Sequence, residues 1–191
     1  MELKGERLIP ASVDTTWAAL NDPEVLKSCI AGCESLEKTG DDAFSALVAV
    51  KVGPVSARFK GNLKMTNIES PNRYTINFDG QGGIAGFGKG SADVALSPEA
   101  PQQTKLAYAA RAQVGGKLAQ VGSRLIDAAA SKIAEDFFKA FEARLQALQA
   151  PVGAAPAQPA VAVERVPEPA GTLAWALSAI VVLVTVYFVL R

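Results

Sequence analysis

Apolar and polar residues alternate with a period of two through the middle of the chain. This pattern predicts β-strands that cover one face and leave the other in water. In residues 56–68, for example, Phe59, Leu63 and Met65 point to one side, and Arg58, Lys60 and Lys64 point to the other. Gly, Pro, Asn and Asp separate the segments, so we expect an antiparallel meander with one buried face. The predicted strands span residues 3–9, 44–52, 56–68, 73–78, 90–96 and 104–114.

Two short helices are predicted between the first two strands. Ser12 can cap the first helix, and Asp22 followed by Pro23 fits the cap and first turn of the second. Gly32 is a natural stop for the second helix. The apolar side of the first helix carries Val13, Trp17 and Leu20.

After the last predicted strand the hydrophobic period changes to that of a helix. Apolar residues recur at helical spacing from Leu118 to Leu148, which predicts one long amphipathic helix that covers the sheet. Small residues face each other here: Ala128–Ala130 in the helix, and Ala110 and Ala112 on the inward side of the last strand. Two arrangements remain open, a close approach of helix to sheet or a cavity for a ligand.

Residues 172–190 form an uncharged apolar run next to the C-terminal Arg191. As a helix with about 1.5 Å rise per residue, this run would reach roughly 28 Å, close to the hydrocarbon thickness of a bilayer. Trp175 and Tyr187 lie near its two ends, where aromatic rings favour the lipid interface. We therefore predict a single C-terminal transmembrane helix at 172–190, a folded domain at 1–149, and a Pro/Ala-rich linker at 150–171.

Charge and the N-terminal sequence indicate where the domain works. Lys and Arg number 19, as do Asp and Glu, so no net positive field favours nucleic acid as a partner. The first residues, MELKGERLIP, are charged and lack the apolar core of a signal peptide. We expect a single-pass protein of the cell inner membrane whose domain stays in the cytoplasm.

The chain contains no histidine and only two cysteines, Cys29 and Cys33. A Ser-His-Asp or Cys-His catalytic pair and an imidazole metal site are therefore excluded, and two thiols alone cannot complete a four-ligand zinc site. We predict no metal site, no catalytic residues and no covalent cofactor. If the two cysteines share a helix, a disulfide or redox pair is conceivable, although reduced thiols are the default in the cytosol.

The glycine-rich segment 80–90, GQGGIAGFGKG, superficially resembles phosphate-binding loops. A strand pattern follows it where a dinucleotide-binding motif needs a helix, and Gly90 occupies the Ser/Thr position of a Walker A motif. We interpret the segment as a flexible hairpin connection with bulges that leaves room for an apolar ligand. Phe87 is its one large side chain, either a gate or a packing residue.

The order of elements resembles the helix-grip fold of the START/polyketide-cyclase (SRPBCC) superfamily, an α+β fold whose antiparallel sheet wraps around a long C-terminal helix. Four blocks are similar in order and spacing to the CoxG family of carbon monoxide dehydrogenase subunits. They are WAALNDPEVLKSCIAGCESLE, VGPVSARFKGNLKM, GFGKGSADVAL and GGKLAQVGSRLIDAAASKIAEDFF. The resemblance covers about residues 1–148.

This resemblance implies an accessory protein and no enzyme. Family members accompany molybdenum hydroxylases of the carbon monoxide dehydrogenase type at the cytoplasmic membrane, and the superfamily holds lipids and other apolar molecules. We expect this chain to recruit such an enzyme and to present a bound quinone or lipid; the alternatives are a membrane adaptor without a ligand and a cyclase-like enzyme. The predicted lining of the ligand site is Phe59, Met65, Phe78, Phe87, Tyr108, Leu118, Leu125, Ala129, Ile133 and Phe137.

Overall fold

The computed structural model describes residues 1–149, which form a seven-stranded antiparallel sheet, four α-helices and one 3₁₀ turn at Gly83–Ala85. The strands are β1 (Glu2–Ile9), β2 (Cys33–Gly40), β3 (Ala43–Val52), β4 (Val55–Glu69), β5 (Arg73–Gln81), β6 (Phe87–Ala100) and β7 (Gln103–Gly115). The helices are α1 (Val13–Leu20), α2 (Pro23–Cys29), α3 (Lys117–Gln120) and α4 (Ser123–Gln149). The predicted α+β class and meander are confirmed.

The strand order across the sheet is β1-β7-β6-β5-β4-β3-β2. Each strand from β2 to β7 therefore pairs with its neighbour in sequence, while β1 joins the far edge beside β7. The sequence patterns did not predict β2. This edge strand, CESLEKTG, buries only Leu36, so it lacks the alternation that identifies the other strands.

The two short helices begin where the capping residues predict. The Ser12 hydroxyl accepts a hydrogen bond from the backbone N–H of Thr15, and the Asp22 carboxylate accepts one from the backbone N–H of Glu24 at 2.8 Å. Cys29 is the last residue of α2 and Cys33 the first of β2, so the two cysteines do not share a helix. Both are free thiols.

The prediction of one continuous helix from Leu118 to Leu148 is wrong at its start. The chain forms the short α3, breaks at Val121 and Gly122, and begins α4 at Ser123. Gly122 has a φ of 92°, a left-handed conformation that an α-helix cannot contain and that glycine adopts without a Cβ penalty. The leucine and lysine pattern around Leu118 is compatible with both arrangements, which is why it did not indicate the break.

The main core lies under the C-terminal half of α4. Phe138, Phe141 and Leu145 of α4 pack with residues from α1, α2, β1, β6 and β7. The N-terminal half of α4 is much less covered, since Leu125 is 50% exposed and Ile133 is 47% exposed. A second buried cluster lies on the part of the inner face that strands β2 to β5 form. It comprises Leu36, Phe44, Ala46, Met65 and Tyr74.

The predicted linker at 150–171 and the predicted transmembrane helix at 172–190 lie outside the described residues. Among the helices within residues 1–149, none combines the length and the hydropathy needed to cross a bilayer.

Candidate functional site

A cavity of about 380 Å³ lies between α2 and the inner face of strands β2 to β6. Its size falls within the range of about 300–1,000 Å³ that is usual for small-molecule sites. Nearly all of its lining side chains are apolar. The lining residues are Leu20, Leu26, Ile30, Leu36, Phe44, Ala46, Val48, Val50, Phe59, Gly61, Asn62, Leu63, Met65, Tyr74, Ile76, Phe78, Asp79, Gly80 and Gly88.

Strand alternation explains why the cavity is apolar. Every second residue of β3, from Phe44 to Val50, points inward, as does every second residue of β4 from Phe59 to Met65. The alternate residues of both strands face outward, and Lys51 and Lys60 among them are exposed. The inner face of these strands therefore presents apolar side chains to the cavity. An apolar ligand bound there would remove this surface from contact with water, which is favourable.

Two glycines keep the cavity wide near the ends of β5 and β6. A Cβ atom placed on Gly88 would lie 3.9 Å from its nearest neighbour, Val114 Cγ1, and one on Gly80 would lie 3.8 Å from the Gly88 carbonyl oxygen. Both positions thus have room for a side chain that the sequence does not supply. The glycine-rich segment contributes to the cavity through missing side chains, whereas the predicted bulges are absent: β5 and β6 stay in register from Arg73 to Gln81.

Tyr74 brings the one hydroxyl group found among the lining side chains. Its ring packs edge-on against Trp17, with ring centroids 5.2 Å apart, and the residue is 3% exposed. Burial raises the pKa of the Tyr74 phenol, so it stays protonated and can donate a hydrogen bond at physiological pH. The other polar lining residues, Asn62 and Asp79, are exposed and hydrogen-bond to each other through their side chains at 3.4 Å.

Three of the predicted site residues, Phe59, Met65 and Phe78, line this cavity. Phe59 lies at its glycine-rich side, where its ring would be only 2.6 Å from a Cβ atom on Gly82. Any larger residue at Gly82 would displace this ring. The three residues come from adjacent strands, which is why the period-two pattern alone could bring them together.

The other predicted site residues lie elsewhere. Tyr108 and Phe137 join the aromatic core around Phe138, with centroid distances of 5.1 Å and 5.2 Å to that ring. The ring of Phe87 lies over Gly115. Its neighbour Gly88 lines the cavity, and successive strand residues point to opposite faces, so the Phe87 side chain lies on the other face of β6. Leu118 is buried in α3, Ala129 is half-buried in α4, and Leu125 and Ile133 are largely exposed.

The cavity lies away from the facing alanines, for which the sequence left open either a close approach of helix to sheet or a cavity. Within residues 1–149, no residue of α4 lines the cavity, and neither Ala110 nor Ala112 does. The lining residues that sequence reasoning missed are mainly in α2 and β3, including Leu26, Ile30 and Val48. The alternation in residues 44–52 indicates the inward face of β3, but nothing in the sequence shows that α2 covers this strand.

Ionisable groups are scarce around the cavity. Within the described part of the chain, no group of three or more carboxylates and thiols is arranged to hold a metal ion. Burial raises the pKa of the Cys33 thiol, which lowers its thiolate fraction and hence its nucleophilicity at neutral pH. The cavity therefore favours binding through apolar contact and one hydroxyl group.

The sequence profile of the carbon monoxide dehydrogenase CoxG family matches residues 5–146. This match covers most of the chain and all of the strands and helices except the first three residues of β1 and the end of α4. The chain belongs to the CoxG family. The resemblance seen in the four sequence blocks is thereby confirmed.

Solved structures support the same fold. A conserved protein from Geobacillus kaustophilus is 31% identical, with a TM-score of 0.72, and the alignment covers 77% of this chain and 96% of that one. A START superfamily protein from Mycobacterium smegmatis is 17% identical, with a TM-score of 0.59 and coverage of 77% and 98%. The Zhui aromatase/cyclase from Streptomyces sp. R1128 is 13% identical, with a TM-score of 0.60 and coverage of 80% and 98%.

The CoxG match and these structures together establish a START-like domain in a family of accessory proteins. The expected combination of an antiparallel sheet and a C-terminal helix is confirmed for residues 1–149, where the sheet has seven strands, one more than predicted. No protein with a curated description matches the chain significantly. The likeness to an aromatase/cyclase at 13% identity concerns the fold alone.

Proposed function

We propose that this CoxG protein is a membrane-tethered accessory protein that binds a quinone or a similar lipophilic molecule and presents it to a molybdenum-containing enzyme of the carbon monoxide dehydrogenase type. The observation that carries the proposal is the apolar cavity of about 380 Å³ under α2. A quinone ring is flat and apolar, with carbonyl oxygens that accept hydrogen bonds. The cavity offers apolar walls and the Tyr74 hydroxyl, which matches both features.

The cost of moving such a molecule through water explains why a carrier would be needed. Each exposed CH₂ of an isoprenoid tail costs about 0.8 kcal/mol in water, so transfer from lipid to an enzyme requires a continuous apolar path. Phe44, Val48 and Phe59 supply apolar surface on the cavity wall. An enzyme outside the bilayer could then receive its electron acceptor from the domain without reaching into the lipid itself.

Extraction of the purified full-length protein tests whether it carries a ligand. We expect extraction with an apolar solvent, followed by mass spectrometry, to recover a quinone or a lipid in a fixed ratio to protein. Titration with a soluble short-chain quinone should then saturate at one molecule per chain. If neither extraction nor titration detects binding, the plain adaptor, which docks the enzyme at the membrane without a ligand, becomes the better explanation.

Replacing Tyr74 with phenylalanine should weaken quinone binding without emptying the cavity. The variant keeps the ring that packs against Trp17 and loses only the hydroxyl. One lost hydrogen bond corresponds to about 0.5–1.5 kcal/mol, or a dissociation constant raised roughly two- to tenfold. Fluorescence titration with a short-chain quinone measures this change. An isosteric hydrocarbon without carbonyl groups serves as the control ligand, and its affinity should not fall.

Deleting residues 172–191 should release the protein from the membrane fraction. The run at 172–190 has no charged residue, and an apolar segment of this length partitions strongly into lipid. Fractionation of cells that express the full-length and shortened chains measures the effect. Replacing 172–190 with an unrelated apolar run of equal length should restore membrane association; retention of the shortened chain would argue against the tether.

The identity of the partner enzyme can be tested independently of the ligand. If the protein serves a carbon monoxide dehydrogenase type enzyme, its gene should lie beside genes for molybdenum, flavin and iron-sulfur subunits. Affinity purification of the full-length protein from its native membrane should recover those three subunits. Recovery of the shortened chain with the same subunits from the soluble fraction would show that docking resides in the domain.

A further inference from the structure

One end of the sheet combines an exposed apolar tip with exposed cations. This end, which we call the Ile84 end, contains the β3–β4 turn at 53–54, the β5–β6 turn at 82–86, and the chain from Gly115 to Arg124. The strand register places the last two together, because Gln81 pairs with Phe87 and Phe87 pairs with Gly115. The β3–β4 turn lies beyond them at the same end, since β4 continues from Lys60, the partner of Gln81, to Val55. Leu125 at the start of α4 adjoins the turn at Gly53.

Ile84 is held outward by a well-defined turn. It is 86% exposed, whereas the next residue, Ala85, is 4% exposed and anchors the turn in the protein. The Gly82 N–H donates to the Gly86 carbonyl oxygen at 2.8 Å, which closes the turn. A side chain on Gly86, whose φ is 113°, would collide with the backbone of Gly115. The backbone therefore fixes Ile84 in water, where a large aliphatic side chain gains nothing in an isolated domain.

The same end of the sheet carries exposed cations. Five exposed basic residues at the Ile84 end take part in none of the ion pairs formed among the described residues. They are Lys51, Lys60, Lys89, Lys117 and Arg124. The carboxylates outside ion pairs at this end are Asp79 and Asp127, so positive charge is in excess. An exposed apolar side chain together with an excess of positive charge is typical of interfacial membrane contacts.

The opposite end of the sheet carries the reverse charge. This Asp41 end contains the β2–β3 turn at 41–42, the β4–β5 turn at 70–72 and the β6–β7 turn at 101–102. Asp41, Asp42, Glu99 and Asp14, which lies beside Pro71 and Glu99, are exposed and unpaired among residues 1–149. Lys38 and Lys64 are the nearby cations outside the ion pairs of the described residues, so the carboxylates remain in excess. A negative surface would therefore attract the Ile84 end and repel the Asp41 end.

We infer that the Ile84 end docks on a bilayer surface that contains anionic lipids, with Ile84 inserted among the acyl chains. The cavity supports this orientation, because Val50, Gly80 and Gly88 extend its lining to within a few residues of the two turns. A docked domain would thus hold the wide, glycine-lined side of the cavity next to lipid. This inference rests on the proposed membrane tether, but it describes a second contact with the membrane that the domain itself makes.

Site-specific quenching in vesicles tests the contact with the full-length chain. Ile84→Cys and, as the matched control, Asp41→Cys are each made in a Cys29→Ala, Cys33→Ser background and labelled with bimane. The chains are reconstituted in phosphatidylcholine vesicles with or without phosphatidylglycerol, and doxyl-labelled lipid is the quencher. We expect quenching at position 84 and none at position 41, and we expect it to require phosphatidylglycerol. Equal quenching at both positions, no quenching at position 84, or quenching that ignores phosphatidylglycerol would overturn the inference.

A charge reversal separates docking from folding and from tethering. Arg124→Glu, assayed on the Ile84→Cys reporter, should lower docking about fivefold or more, as for loss of a basic residue near an anionic surface. The new carboxylate lies at the N-terminus of α4, where the helix dipole favours it, so the fold should persist. Lys38→Glu at the Asp41 end is the control and should change nothing; a matching loss there would refute the orientation. Vesicle flotation reports the tether separately, so failure of the tether and failure of docking can be distinguished.

Discussion

Replacing Gly88 with leucine is expected to weaken ligand binding strongly while leaving the sheet folded. Gly88 lines the cavity, and a Cβ atom there would make only an ordinary contact of 3.9 Å with Val114 Cγ1. Leucine can therefore be added without displacing the backbone, and its side chain would occupy the space that a ligand needs. Each 1.4 kcal/mol of lost contact is about tenfold in affinity, so we expect binding to weaken by roughly tenfold or more.

The measurement is the amount of lipophile extracted per mole of protein, together with the titration of a short-chain quinone. Gly40→Leu is the matched control, because Gly40 also lies near one end of a strand and has room for a Cβ atom, 3.6 Å from the Ala43 Cβ, but is outside the cavity lining. This control should bind normally. Normal binding by Gly88→Leu, with circular dichroism unchanged, would mean that the ligand lies elsewhere or that the protein is an adaptor without a ligand.

The inner strands of the sheet could be predicted because apolar and polar residues alternate within each strand's own sequence. Residues 56–68 alternate so regularly that the positions of Phe59 and Met65 on the covered face followed directly. The capping residues Ser12 and Asp22 were equally informative, since a cap depends on its immediate neighbours alone. Local patterns thus predicted most of the elements and one face of the site, but not the edge strand β2 or the break before α4.

The position of the cavity across the sheet could not be predicted in the same way. The facing alanines left open either close packing or a cavity between the long helix and the last strand. The cavity is instead covered by α2, and its walls are mainly β3, β4 and β5. Which helix lies over which strand depends on contacts between residues that are far apart in the chain, such as Leu26 of α2 and Val48 of β3. The helical periodicity shows which side of α4 is apolar, but it does not show which elements that side contacts.

The division of the domain into a core half and a cavity half has a measurable consequence for stability. Leu145 in α4 is 0% exposed and packs in the main core, whereas Leu148, three residues later in the same helix, is 54% exposed. Replacing Leu145 with alanine should lower the free energy of unfolding by about 2–5 kcal/mol, since buried methyl groups are lost and a cavity remains. Leu148→Ala, the matched control, should change it by about 0.5 kcal/mol or less. Urea titration followed by circular dichroism measures both. Similar losses for the two variants would show that the C-terminal part of α4 does not pack as described, and a stable Leu145→Ala protein would mean that the cavity side of the sheet, around Phe44 and Tyr74, holds the domain together.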